Sequence, residues 1–307
     1  MVIKAEALGK LLSSNPFGTV LSTFLFLSDP EITQFAEASE IILGKAFRRM
    51  LQKEEYRQEY LQFEDLIFPG PHFVQTGPLA DYLNELLAVL RKVVFAGEHP
   101  ELSAVPIQVR IIKNPRCAFC GILPWGTLLI GRALIRELSH AELVAVLLHE
   151  IEHFETFDHT LLLVYLPILL NAIGEEQAPG ITRIISSLKE FASHRSVTLE
   201  RTADNGAVKG LLEFGFPAGV LSESLQSTVR AMKNCPITLI EAMVEAGVLP
   251  AGISTKEESC LFPSHPEIET RVALAKSLER SICSEDLTHR EFPANRFNDS
   301  ELRSRLG

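Results

Sequence analysis

The residue types most able to do chemistry together lie in Leu147-Leu148-His149-Glu150-Ile151-Glu152-His153-Phe154. Residues four apart share one face of a helix, so His149 and His153 can point at one metal ion. Neutral imidazole suits zinc, which in catalytic sites takes three protein ligands and a water. Glu150, one residue after the first ligand, can reach that water as a base. The plainer alternative is a surface helix that carries two His and two Glu. Its surroundings favour chemistry. Ser139 and Glu142 form a capping-box start, and Leu143, Val146, Leu147 and Phe154 supply an apolar stripe that would bury the helix.

Two ligands require a third, and two residues compete for the place. His149, His153 and His159 fit HExxHxxGxxH except at position 156, where Thr156 replaces the glycine that turns the helix sharply. A β-branched residue disfavours φ > 0, and in a continuing helix His159 leaves the face shared by the other two. The rival is Glu200, in Leu199-Glu200-Arg201-Thr202-Ala203-Asp204. Glu200 and Asp204 share a helical face. Glu200 can ligate while Asp204 accepts a hydrogen bond from the far nitrogen of a ligating His and fixes its tautomer. Ala203 is small enough to let two helices meet closely. Two His plus Glu is the gluzincin arrangement, and it is the favoured one; a metzincin-type set through His159 stays open.

The whole chain sets bounds on these readings. It has 307 residues, 46% of them hydrophobic, enough for a large core in one or two domains. A net charge of -10 argues against nucleic acid as a partner. Five cysteines (Cys117, Cys120, Cys235, Cys260 and Cys283) are few and odd in number, which suits a reducing, cytoplasmic setting. Cys117 and Cys120 lack the second pair that a structural zinc site needs, and they read as reduced thiols. The mean hydropathy is +0.15. The apolar runs Phe17 to Leu27 and Leu161 to Leu170 fall short of the roughly 18 to 20 residues that span a bilayer. They read as core helices and leave a peripheral membrane role open.

The elements that must position the site follow from periodicity. A helical pattern from Pro30 to Phe68, charged in its second half, is stopped by Pro69-Gly70-Pro71, and a second helix runs from Pro78 to Phe95. Val105 to Ile112 alternates as a strand. Cys117 to Leu123 and Thr127 to Ile130 read as further strands separated by the Pro124-Trp125-Gly126 turn. Arg132 to Leu138 follows as a helix or loop. A small antiparallel sheet thus leads into the His149–His153 helix. Further helices are expected at about 181–193, 196–212, 218–233, 236–247 and 265–281. The polar stretch 284–307 is expected to pack loosely.

With these residues in place, the chain resembles the zinc metallopeptidase family that contains the HtpX heat-shock protease, the CAAX prenyl protease and the BepA/Oma-type quality-control proteases. The resemblance covers roughly residues 105–280 and rests on three matches in order. Cys117-Ala118-Phe119 leads through Pro124-Trp125-Gly126 to HExxH, like the family's edge-strand segment. The E-x-x-A-D of Glu200 to Asp204 follows, and then Ser264-His265-Pro266 with Arg271 six residues after His265. The chain departs from the family in Cys117 for Asn, in Cys120-Gly121 on the edge strand, and in Glu152 where Gly is frequent.

The resemblance implies an α+β, predominantly helical, zincin-like fold with a small antiparallel sheet beside the HExxH helix. Its expected parts are an N-terminal helical region at 1–104, a metallopeptidase domain at 105–283 and a polar tail at 284–307. It implies one catalytic zinc ion on His149, His153 and Glu200, backed by Asp204, with Glu150 as base. His265 and Arg271 would border the site, and substrate would lie along Ala118, Phe119, Cys120, Gly121 and Ile122. The expected activity is endopeptidase cleavage of protein or peptide substrates, in keeping with protein quality control. A reading of another class is a gated or inactive zinc protein that works by binding other proteins.

Overall fold

The computed structural model describes residues 48–67, 70, 72–94, 105–156, 197–235, 237–247, 268–282 and 296–306. In chain order these hold α1 (Glu54–Ile67), β1 (Phe73–Val74), α2 (Pro78–Val94), β2 (Gln108–Ile112), β3 (Cys120–Ile122) and β4 (Thr127–Gly131). Then come α3 (Arg132–Glu137), α4 (His140–Glu155), α5 (residues 197–213), α6 (Val220–Asn234), α7 (Leu239–Glu245), α8 (Ile268–Ile282) and α9 (Asp299–Leu306). The segments Phe17 to Leu27 and Leu161 to Leu170, the helix expected at 181–193, His159 and His265 lie outside the described residues. Among the described residues, no helix is long and apolar enough to cross a membrane.

The sheet is mixed rather than antiparallel, in the order β1-β2-β4-β3. β3 and β4 are joined by a tight turn, which forces them antiparallel. β4 then inserts between β3 and β2 and runs parallel to β2, Val109 facing Leu128 and Ile111 facing Ile130. The turn depends on Gly126, whose φ of 92° suits glycine. A Cβ there would also come within 2.6 Å of the Pro106 carbonyl oxygen. β1 adds antiparallel to β2 and is too short to show a period of two.

Side chains leave the strands alternately, and both faces are covered. Val109, Ile111, Leu128 and Ile130 face the main core, with Leu83, Leu86 and Leu90 of α2, Leu143, Leu147 and Ile151 of α4, and Leu221 of α6. Ile112, Leu129 and Cys117 face a smaller core closed by Leu239 and Met243 of α7. α1 also lies on this second side through one ionic cluster. Its Glu64 is buried, although that half of the helix reads as charged; it accepts from Arg110, from Thr127 and from the Trp125 indole at 2.6 Å.

α4 begins as its sequence requires: the Ser139 side chain accepts from the Glu142 amide, and Glu142 accepts from the Ser139 amide at 2.7 Å. Its last turn is clamped by Glu155, which takes Arg91 at 2.8 Å and Arg48 at 3.2 Å, with the Arg48 guanidinium 3.5 Å over the Phe154 ring. The polar tail ends in a packed helix. Leu302 and Leu306 of α9 are buried, and the Asp299 carboxylate accepts the His140 amide at the start of α4 at 2.7 Å. Three apolar side chains (Phe297, Leu302 and Leu306) suffice to seat it on the core.

Candidate active site

α4 brings His149 and His153 to one face, and α5 crosses that face closely enough to add its own side chains. The approach is set by small residues on α5. Ala203 is fully buried, a Cβ on Gly206 would lie 2.4 Å from the Glu152 carboxylate, and one on Gly210 would lie 2.9 Å from Leu148. Ala203, Gly206 and Gly210 follow the three- and four-residue spacing of one helical face, so the two glycines extend the small-residue contact expected at Ala203.

Across this contact, His149 Nε2 lies 3.0 Å from His153 Nε2 and 3.3 Å from Glu200 Oε2, and His153 Nε2 lies 3.3 Å from Glu200 Oε1. Ligand atoms about 2.0–2.1 Å from a tetrahedral zinc ion are about 3.3 Å apart from one another. The three side chains, all buried, are a group that could hold a metal ion, and their spacing fits zinc. His149 Nδ1 faces Asp204 Oδ1 at 3.0 Å. A proton on Nδ1, shared with Asp204, leaves the Nε2 lone pair directed at the centre.

Arg271 of α8 completes the charge balance. Its Nη2 donates to Asp204 Oδ1 at 2.8 Å, its Nε to Asp204 Oδ2 at 3.3 Å, and its Nη1 pairs with Glu200 Oε2 at 2.9 Å. Burial works against ionising Asp204, but the His149 hydrogen bond and the nearby His149 and Arg271 charges hold its carboxyl below the usual range. Burial, Arg271 and His153 push the His149 pKa down, and the Asp204 and Glu200 hydrogen bonds outweigh them and raise it. Arg271 is raised in turn: burial opposes its charge, and Glu200 and Asp204 more than restore it.

Glu150, also buried, points to the sheet. Its Oε2 accepts from the Ile122 amide of β3 at 3.1 Å. β3 is the outer strand of the sheet among the described residues, and it meets α4 at the Ile122–Glu150 hydrogen bond. Cys120 and Ile122 pack on the α4 side, whereas Phe119 lies on the other, its ring over Gly121. Burial and then the Glu150 carboxylate push the Cys120 thiol well above its usual range. Cys117 faces the smaller core across the sheet, and neither Cys117 nor Cys120 is in a disulfide. Thr156 caps α4 in the right-handed region at φ −84°.

His149, His153, Glu200, Asp204 and Arg271 are thus gathered in one buried cluster, and Glu150 of the same helix is bonded to Ile122 of β3; His265 and the alternative ligand His159 lie outside the described residues. The sequence of residues 84–279, from α2 through α8, matches Peptidase family M48. No curated protein matches the chain. The match spans well over half of the 307 residues and takes in every element of the centre, and on that ground the chain belongs to peptidase family M48.

Proposed function

We propose that this M48 peptidase is a zinc endopeptidase that cleaves extended polypeptide lying along β3. The observation that carries the reading is the buried His149, His153 and Glu200 triad, with Glu150 next to His149 on the same helix and its carboxylate bonded to the outer strand. An ion held by these residues supplies carbonyl polarisation and a water acidified towards a pKa of about 7. Glu150 takes the proton from the attacking water and returns it to the leaving amine. Asp204 fixes the His149 tautomer, and Arg271 holds Glu200 and Asp204 in register, a positioning role. His265, by family resemblance, donates to the developing oxyanion.

A peptide strand added to β3 forms main-chain hydrogen bonds with it and sends alternate side chains to either face. On one side they meet Cys120 and the catalytic helix, on the other the Phe119 ring. This mode reads backbone more than side chains, which makes unfolded protein the substrate class and accords with quality control.

Digestion of unfolded casein tests the reading. Cleavage inside the chain should stop with a chelator and return with zinc. Glu150→Gln should retain one zinc per chain and lose on the order of 10²–10⁴-fold in turnover. Chelator-resistant cleavage, or full activity in a metal-loaded Glu150→Gln preparation, overturns it.

A further inference from the structure

The hydrogen bonds between β3 and β4 decide which main-chain groups of β3 face outward. Leu123 N donates to Thr127 O at 2.8 Å, and Gly131 N donates to Phe119 O at 2.7 Å. Odd-numbered residues of the segment are therefore turned to β4. In an antiparallel pair the intervening residues turn their N–H and C=O groups the other way, so Cys120 and Ile122 present theirs along the outer edge. One of these groups is already engaged. The Ile122 N–H donates to Glu150 Oε2 at 3.1 Å.

The acceptor is the carboxylate read above as the base. Glu150 is only 7% exposed, so it has little water to satisfy its charge and takes a backbone donor instead. A peptide that adds to β3 needs the same hydrogen, because strand addition bonds to the outward groups of the edge. The catalytic carboxylate and an incoming peptide carbonyl therefore compete for a single donor.

We infer that the Ile122 amide is a latch on Glu150. In the free protein it holds the carboxylate against β3. When an extended peptide pairs with β3, a peptide carbonyl takes the Ile122 hydrogen, and Glu150 is released to the scissile bond. Substrate capture and release of the base are then one event: an amide group reached by anything short of a paired strand leaves Glu150 on Ile122. This inference rests on the peptidase reading and adds a positioning group, the main chain of Ile122, to it.

The test compares two inert variants that differ in whether position 150 can accept a hydrogen bond. Glu150→Gln and Glu150→Ala both remove the charge, and only Gln keeps a side-chain carbonyl for the Ile122 amide. The probe is a fluorescently labelled casein fragment that the parent enzyme cleaves, and the readout is its affinity for the zinc-loaded variants by anisotropy. Glu150→Ala should bind it about two- to tenfold more tightly than Glu150→Gln, the worth of one exchanged hydrogen bond. Adding Ile122→Pro should erase that difference, since proline has no N–H; at an outward-facing position it breaks no bond to β4. Equal affinities of the two variants, weaker binding by Glu150→Ala, or a difference that survives Ile122→Pro each overturn the latch while leaving the peptidase reading intact. If the proline variant does not fold, the Gln and Ala comparison decides alone. Retained turnover in Glu150→Gln would instead overturn the peptidase reading itself.

Discussion

Replacing Arg271 with Met tests the charge balance of the centre without touching a proposed ligand or the proposed base. The methionine keeps much of the side-chain volume and removes the guanidinium. Asp204 then loses two donors, at 2.8 and 3.3 Å, and Glu200 loses its pairing at 2.9 Å. Both carboxylates are 3% exposed, so water cannot take the place of the lost charge. Removing one partner of a buried ion pair costs about 3–5 kcal/mol. At about 2 °C per kcal/mol for a chain of this size, the metal-free variant should melt about 6–10 °C below the parent. Zinc should stabilise the variant more than the parent, because a dication supplies positive charge that the carboxylates have lost. The pH dependence has a definite sign. In the parent, Asp204 is held below its usual 3.8, so its contribution is present above that pH and is lost as pH falls through the folded value. Without Arg271 the carboxylate is held down less, it protonates at higher pH than in the parent, and the gap between the two proteins narrows as pH falls through the carboxylate range. Scanning calorimetry with and without zinc, from pH 7 down into the carboxylate range, reads all three effects. A metal-free melting point within about 2 °C of the parent would refute the view that Arg271 neutralises the site.

Other perturbations separate ligand from support. Glu200→Ala should abolish stoichiometric zinc binding by metal analysis while His159→Ala leaves it near one per chain; the reverse pattern would make the centre a metzincin. Asp204→Asn should cost roughly 10–100-fold in zinc affinity or activity, the usual loss when a residue that orients a ligand is changed. Glu155→Ala strands Arg48 and Arg91 together at the end of α4 and should cost about 3–5 kcal/mol in urea denaturation; a loss below 1 kcal/mol would show that the clamp is idle. Burial lowers the His140 pKa below 6.5, with Asp299 opposing, so its neutral form stabilises the fold above that pH and the contribution is lost as pH falls through the folded value. His140→Gln should flatten the decline in melting temperature between pH 7 and 5, and an unchanged slope would assign that decline to other groups.

What could be read from the sequence was what depends on near neighbours. The start of α4 follows from Ser139 and Glu142 three residues apart, and the shared face of Glu200 and Asp204 follows from helical spacing, so both were legible before any fold. The parallel pairing of β2 with β4 was not, because strand order depends on where β3 goes, and no local pattern encodes that. Nor was the burial of Glu64, which needs Arg110 some way along the chain to neutralise it; an isolated glutamate in a charged run reads as solvated. The tail misled for the opposite reason. Its composition is polar throughout, yet Phe297, Leu302 and Leu306 fall on the core, and Asp299 finds an amide to cap at the start of α4.

The chemistry finally depends on register, which is set away from it. A one-residue slip of β3 along β4 would exchange inward and outward groups, turning the Phe119 and Gly121 amides to the edge and hiding that of Ile122. Glu150 would then lose its donor, and the ring of Phe119 would face the catalytic helix. The register is fixed where Gly126 N closes on Leu123 O at 2.9 Å, in a turn that the positive φ of Gly126 permits and in which the Pro106 carbonyl leaves no room for a side chain at position 126. Gly126 touches neither histidine nor carboxylate. Through β3 it nonetheless determines which backbone amide meets the base, and so belongs to the design of the site as surely as the ligands do.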